Sequence, residues 1–217
     1  MKWLFILFGL FVSSSLMAQF HYGVELGGGI SGVYNDGMKN PHKYFRGGGM
    51  VNYEDTDHYL YECGLILEMQ EVKFDDFTTA YQYFRKIDAQ LAYLTIPLSL
   101  GYFWRFGAGM NQRFSFKAGG FVSLGIFGTG DVILADNYTG EITNPFKMQE
   151  YAVGMNSYTY EPIRKFNGGL LIAAEYLYKQ YSIRINYTLG LAHLNKVYFP
   201  NKTGSYSISL ALGYYFN

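Results

Sequence analysis

The sequence predicts an all-β chain folded as an eight-stranded antiparallel up-and-down transmembrane β-barrel, with ten strands as the alternative. Three observations predict it. The first is the stretch Tyr93 to Phe106, where Leu94, Ile96, Leu98, Leu100, Tyr102, Trp104 and Phe106 alternate with Thr95, Pro97, Ser99, Gly101, Phe103 and Arg105. A period of two is a strand with one apolar face, and its length suits a tilted crossing of a bilayer, which takes about 9 to 11 residues. The apolar face ends in Tyr, Trp and Phe, side chains that favour the membrane interface. The second is composition: 19% aromatic residues and 26 glycines, at a mean hydropathy of -0.02. So many aromatics at so neutral an average fit strands whose lipid-facing and lumen-facing residues cancel in any window. The third is repetition of the alternation along the chain.

Residues 1–18 carry one Lys, an apolar run from Trp3 to Val12, then Ser13, Ser14 and Ser15, with Ala18 before Gln19. This is the layout of a secretory signal peptide cleaved after Ala18, which leaves 19–217 as the barrel domain. The apolar run falls short of the roughly 20 residues of a transmembrane helix. Cys63 is the single cysteine, so an intramolecular disulfide framework is excluded. With 17 Lys and Arg against 17 Asp and Glu, nothing points to nucleic acid.

Seven further segments repeat the pattern: Phe20 to Ile30, Phe45 to Tyr53, Tyr59 to Met69, Phe114 to Ile126, Phe166 to Tyr178, Tyr181 to Leu191 and Tyr206 to Phe216. An even count is what bacterial outer-membrane barrels have. The connections alternate in length: 54–58, 107–113 and 179–180 are short, whereas 31–44, 70–93, 127–165 and 192–205 are long. Short turns are periplasmic and long loops extracellular in such barrels, so both termini are expected in the periplasm of a Gram-negative cell. Within 127–165, Val132 to Ala135 and Glu141 to Thr143 read as a hairpin, standing above the membrane or adding two strands.

The outward positions of the eight strands carry no charge, whereas the opposite faces hold Glu25, Arg46, Glu62, Glu68, Arg105, Lys117, Glu175 and Arg184. Lys or Arg on the lipid face near the midplane costs about 2 to 4 kcal/mol, which explains the separation. An eight-stranded barrel is just wide enough to be filled by its own side chains, so these charges are expected to pair in a closed lumen rather than line a pore. If Lys179-Gln180 is a two-residue hairpin loop, Tyr178 faces Tyr181, Tyr176 faces Ile183 and Glu175 faces Arg184. Exchanging the last two residues is then expected to keep the pair.

Other residues offer chemistry that an ordinary structural role also explains. His193 near the rim of the seventh strand lies close in topology to Ser205 and Tyr206, a placement from which a lipid-modifying enzyme could work, but no third group is placed beside them. His21, His42 and His58 are too scattered for a metal. Asp131, Asp136 and Glu141 lack the spacing of a calcium loop. The glycine runs 27–29 and 47–49 open no helix and precede no Lys-Ser/Thr, so they serve close packing within strands. Cys63 reads as a small lipid-facing side chain, and the Asn-x-Thr triplets at Asn137, Asn186 and Asn201 as chance. No cofactor is called for.

The long connection is richer in aromatic and Met side chains than a solvated loop needs. Tyr138, Phe146, Tyr151, Tyr158 and Tyr160 either meet a protein partner, as such residues do at interfaces, or fold down to cap the barrel.

The segment Tyr93-Leu94-Thr95-Ile96-Pro97-Leu98 followed by Gly101-Tyr102-Phe103 resembles the strand signature of the PorT-like outer-membrane β-barrel family, and the aromatic end Leu212 to Phe216 is similar. One departure is Asn217 after Phe216, where many barrels end on the aromatic itself. The resemblance implies an integral outer-membrane barrel with a link to secretion. The combined expectation is a monomeric, non-enzymatic barrel with outer-membrane lipid around it and loops displayed outward. The alternatives are a small-solute channel or a lipid-modifying enzyme.

Overall fold

The computed structural model describes residues 20–34, 41–78, 83–107, 110–134, 139–153, 156–160, 163–192 and 204–216. The expected signal peptide, His193, Asp136 and Tyr138 lie outside them. The strands are β1 (Phe20–Tyr34), β2 (His42–Glu54), β3 (Tyr59–Thr78), β4 (Tyr83–Phe106) and β5 (Gln112–Leu134), the short β6 (Thr139–Ile142), β7 (Gln149–Val153) and β8 (Asn156–Tyr160), then β9 (Phe166–Tyr178), β10 (Tyr181–Gly190) and β11 (Gly204–Phe216).

Hydrogen bonding runs β4-β3-β2-β1-β11-β10-β9-β5, and β4 also pairs with β5. The sheet therefore closes on itself with eight staves, all antiparallel. Closure leaves no open edge, which is what a sheet needs where lipid cannot bond to the backbone. The ten-stranded alternative is not realised. β5 pairs with β9 from Gln112 to Leu124 and with β6 from Gly130 to Ile133, so β6 takes the flank of β5 that β9 leaves. The expected hairpin is thus present as the end of β5 with β6. β7 and β8 form a separate two-stranded sheet.

The alternation predicted from sequence is the inside-outside pattern of the staves. Leu26, Leu65, Leu98, Leu124, Leu170, Ile185 and Leu212 are exposed outward. At the end of the short turns the belt finishes in aromatic rings in mutual contact, among them Phe20–Tyr53 at 5.1 Å, Tyr102–Trp104 at 4.9 Å and Tyr181–Tyr214 at 5.4 Å between centroids. On β3 the outward apolar set runs from Tyr59 to Met69. Those ten steps at about 3.3 Å, tilted by about 40°, span roughly 25 Å, the height of a lipid-facing band.

Two expected loops need correction. Residues 70–93 and 127–165 are not wholly connections, because β3 continues to Thr78, β4 already begins at Tyr83 and β5 runs on to Leu134. Beyond the belt the outward residues become polar, as at Lys43 after Phe45 and at Glu71 and Lys73 after Met69, while Val72, Ala89, Leu91 and Val132 stay buried on the other side. An alternation tracked by its lipid-facing members stops at the membrane surface, whereas the strand does not. A bulge hides the continuation further: Ala92 faces Phe127 but Tyr93 faces Gly125, so Ile126 is extra. Ile126 and Phe127 both point outward as a result, and the period of two breaks there.

The two-residue connection after β9 is as predicted, with Tyr178 opposite Tyr181, Tyr176 opposite Ile183 and Glu175 opposite Arg184. Lys179 carries the positive φ of 55° that so tight a turn requires.

Candidate functional site

The interior is built from carboxylates and cations that alternate strands bring to the same level. On facing positions of β9 and β10, Arg184 Nε donates to Glu175 Oε2 at 2.7 Å. The same guanidinium reaches Glu62 with Nη1 at 2.8 Å and Nη2 at 2.6 Å, and its Nη1 lies 3.4 Å from Glu25. Between β3 and β10 in the barrel stand β2, β1 and β11, so the Glu62–Arg184 contact crosses the lumen. Lys117 on β5 adds a second crossing, with Nζ 2.5 Å from Glu62 and 2.8 Å from Glu175. Glu25 accepts from Arg46 at 2.8 Å through Nε and 2.5 Å through Nη2.

A chain of hydroxyls continues this level toward the loops. Glu68 lies 3.9 Å from Arg46 Nη1, accepts from Tyr44 and from Thr95 at 2.6 Å, and Thr95 bonds Ser123 at 2.7 Å. Tyr215 donates to Glu175 at 3.2 Å and accepts from Asn52 at 2.7 Å.

Two members were missed in the sequence. Glu54 and Arg113 were assigned to turns, yet both are buried. Arg113 donates to Glu175 at 2.8 Å and also to Glu54, which accepts from Arg105 as well. Extending β2 and β5 by one residue in the same parity as Asn52 and Ser115 was the signal that could have found them. The set becomes Glu25, Glu54, Glu62, Glu68 and Glu175 against Arg46, Arg105, Arg113, Lys117 and Arg184, equal in each sign. Arg105 sits at the mouth with its side chain 43% exposed. Beside it His21 lies 3.5 Å from Glu54, and these residues with Thr56, His58 and Phe103 line a shallow hollow of about 300 Å³. Charges removed from water this thoroughly are tolerable only with several partners each, and Glu62 and Glu175 have them.

At the loop end the long connection folds back. Phe146 is 5% exposed and its ring meets Tyr93 edge-on, 5.6 Å between centroids. Asn144 Oδ1 accepts from Phe146 N at 3.0 Å and Ile163 N donates to Pro145 O at 2.9 Å, which pins the segment over the barrel. Position 125 must be Gly here, because a Cβ would run into the Phe146 ring. Phe146 is thus packed inward, whereas Met148 is 63% exposed. Tyr151 faces Tyr158 across β7 and β8; the side chains of these two and of Tyr160 lie outside the described residues.

The remaining candidates are dispersed. His58 stacks on Tyr102 in a turn and His42 opens β2. Asp131 faces Glu141 across β5 and β6. Ser205 is buried and accepts from Asn167 at 3.1 Å. Cys63 is exposed on the outward face.

The pattern of the outer membrane protein beta-barrel domain matches residues 13–196. The chain belongs to that family. It is a transmembrane barrel of the outer membrane, as the closed eight-stranded sheet with its apolar belt requires of a member. Solved structures similar to this family member include Ail, the attachment invasion locus protein of Yersinia pestis, at 15% identity over 91% of this chain and 99% of that one, with a TM-score of 0.41. Neisserial surface protein A is similar at 12% identity over 91% and 97%, TM-score 0.36, and the outer membrane enzyme PagL at 11% over 88% and 98%, TM-score 0.40. Among curated proteins, none matches the chain.

Proposed function

We propose that this outer-membrane barrel is a non-enzymatic, monomeric display scaffold with a lumen closed by its charge network. Its strand extensions and long connection present a surface to a protein partner outside the cell. One observation carries the closed lumen: Glu62 on β3 grips Arg184 on β10 through two hydrogen bonds of 2.8 and 2.6 Å, and three strands separate the two along the wall on one side. Ions that share their hydrogen bonds across a lumen occupy the space through which a solute would pass. Planar-bilayer recordings of the purified barrel are expected to show no steady unitary conductance. A steady conductance overturns the closed lumen and establishes the small-solute channel.

The PorT-like resemblance of the β4 stretch supports a secretion-associated partner as the finer assignment. Both termini and the short turns are periplasmic on this proposal. Single cysteines at Met148 and at Asp57, each in a Cys63→Ala background, distinguish the two ends, since both native side chains are exposed. In whole cells an impermeant thiol reagent is expected to label position 148 and spare position 57. Labelling at 57 alone inverts the topology and removes the outward display.

A further inference from the structure

The lipid-facing belt is not evenly clad. The outward faces of β3 and β5 carry Leu65, Leu67, Phe114, Phe116 and Leu124, yet Cys63 and Ala118 on the same faces are small. Both stand in a pair of neighbouring rows that cross β2, β3, β4 and β5. Tyr53, Tyr61, Leu100 and Ala118 are directly opposed in one row, and Val51, Cys63, Leu98 and Gly120 in the next. Between the rows Glu62 and Ser99 turn their side chains inward, where both are buried, so only backbone faces outward there. The result is an open groove of about 550 Å³, lined by Phe20, Tyr53 and Tyr61 toward one end and by Leu98, Leu100 and Ala118 toward the other.

The groove slopes through the membrane. Tyr53 is next to Glu54, the last residue of β2, whereas Ala118 lies well inside β5, which begins at Gln112. The end of β2 and the start of β5 belong to the same end of the barrel, because the staves between them run antiparallel. One end of the groove therefore lies in the aromatic girdle, where the Phe20 and Tyr53 rings are 5.1 Å apart and those of Tyr53 and Tyr61 6.0 Å. The other end lies at hydrocarbon depth. Three strand spacings of about 4.8 Å make the course roughly 14 Å long. An unbranched apolar chain anchored at the interface follows such a course, with its polar end beside tyrosines and its methyl end against Ala118. On a convex stave a chain touches protein on one side only, whereas in the groove the walls touch it as well, and dispersion sums over contacts. Among the described residues no Lys or Arg lines the groove, which suits the ester end of a phospholipid rather than a multiply phosphorylated glycolipid. We propose that this groove is a binding site for one acyl chain of a glycerophospholipid, held in place while the lipid around the rest of the belt exchanges. Small side chains at Cys63 and Ala118 are what leave room for it.

The test uses the full folded barrel in phospholipid vesicles. The vesicles are doped with a phospholipid that carries a photoactivatable diazirine either beside the ester or at the methyl end of one chain, and the adducts are mapped by peptide mass spectrometry. The ester-side probe is expected on Phe20, Tyr53 and Tyr61 and the methyl-end probe on Leu100 and Ala118, both in excess of the adducts on outward residues elsewhere, such as Ile185 and Leu210. Cys63→Leu and Ala118→Leu each fill the groove with an apolar side chain that the outward face already uses, so the barrel is retained. Each is expected to abolish the excess and to leave the adducts at Ile185 and Leu210 unchanged. Adducts spread evenly around the belt, or an excess that survives either filling, overturn the site. The vesicles present the same lipid on both faces, so this outcome is independent of the topology, which the cysteine labels at positions 148 and 57 decide separately.

Discussion

Glu175→Gln is expected to destabilise the folded barrel by about 3 to 5 kcal/mol, the usual cost of removing one partner from a buried ionic cluster, read as a lower urea midpoint for refolded protein in lipid vesicles. Glu175 receives hydrogen bonds from Arg113, Lys117 and Arg184, and its side chain is 0% exposed. Neutralising it takes the carboxylate's charge away from the bonds of three cations and leaves excess positive charge in the barrel interior. Arg184→Gln should cost a similar amount, because Glu25, Glu62 and Glu175 all lean on that guanidinium. The sequence alone suggested that exchanging Glu175 and Arg184 would restore the pair. The structure reverses that expectation. Exchange puts an arginine beside Arg113 and Lys117 and a glutamate beside Glu25 and Glu62, so the double variant should be no more stable than either single one. Wild-type midpoints for both single variants would remove the ionic cluster from the stability of the barrel and open the lumen to water.

Ile185→Arg is the second large effect, and it lies one position from Arg184 in the chain. Arg184 is buried and Ile185 is 55% exposed on the outward face, with Ala174 and Leu210 opposite it on the neighbouring strands. A guanidinium there faces hydrocarbon, at about 2 to 4 kcal/mol near the midplane. Tyr181→Arg is the control, since Tyr181 ends the same face in the aromatic girdle, where such a change costs about 0 to 1 kcal/mol. Folding titrations into vesicles should separate the two variants. Equal midpoints for Ile185→Arg, Tyr181→Arg and the unaltered chain would mean that the belt does not lie in lipid at that level.

The contrast between 184 and 185 marks what was legible from the residues. Alternation needs only the pleat of a strand, which turns successive side chains to opposite faces, so Glu175 and Arg184 could be placed inside and Ile185 outside without coordinates. The turn at Lys179-Gln180 added register, because a two-residue loop leaves no freedom in pairing. Glu54 and Arg113 escaped for a local reason: they stand at the last and second positions of their strands, where turn and strand look alike. The upper parts of β3, β4 and β5 escaped because lipid no longer dictates the outward residues there, and because the bulge at Ile126 breaks the period.

The amino-acid sequence by itself determined the eight staves, the lipid-facing belt, the inward placement of the charges and the facing of Glu175 with Arg184, all of which follow from nearest-neighbour geometry. Only the tertiary structure decided that Glu62 and Arg184 meet across the lumen, that Lys117 joins Glu62 to Glu175, and that Phe146 packs down on Tyr93. The contacts of Glu62 with Lys117 and Arg184 join residues 55 and 122 positions apart in the chain. They depend on the diameter and stagger at which the sheet closes, and no local period encodes either quantity.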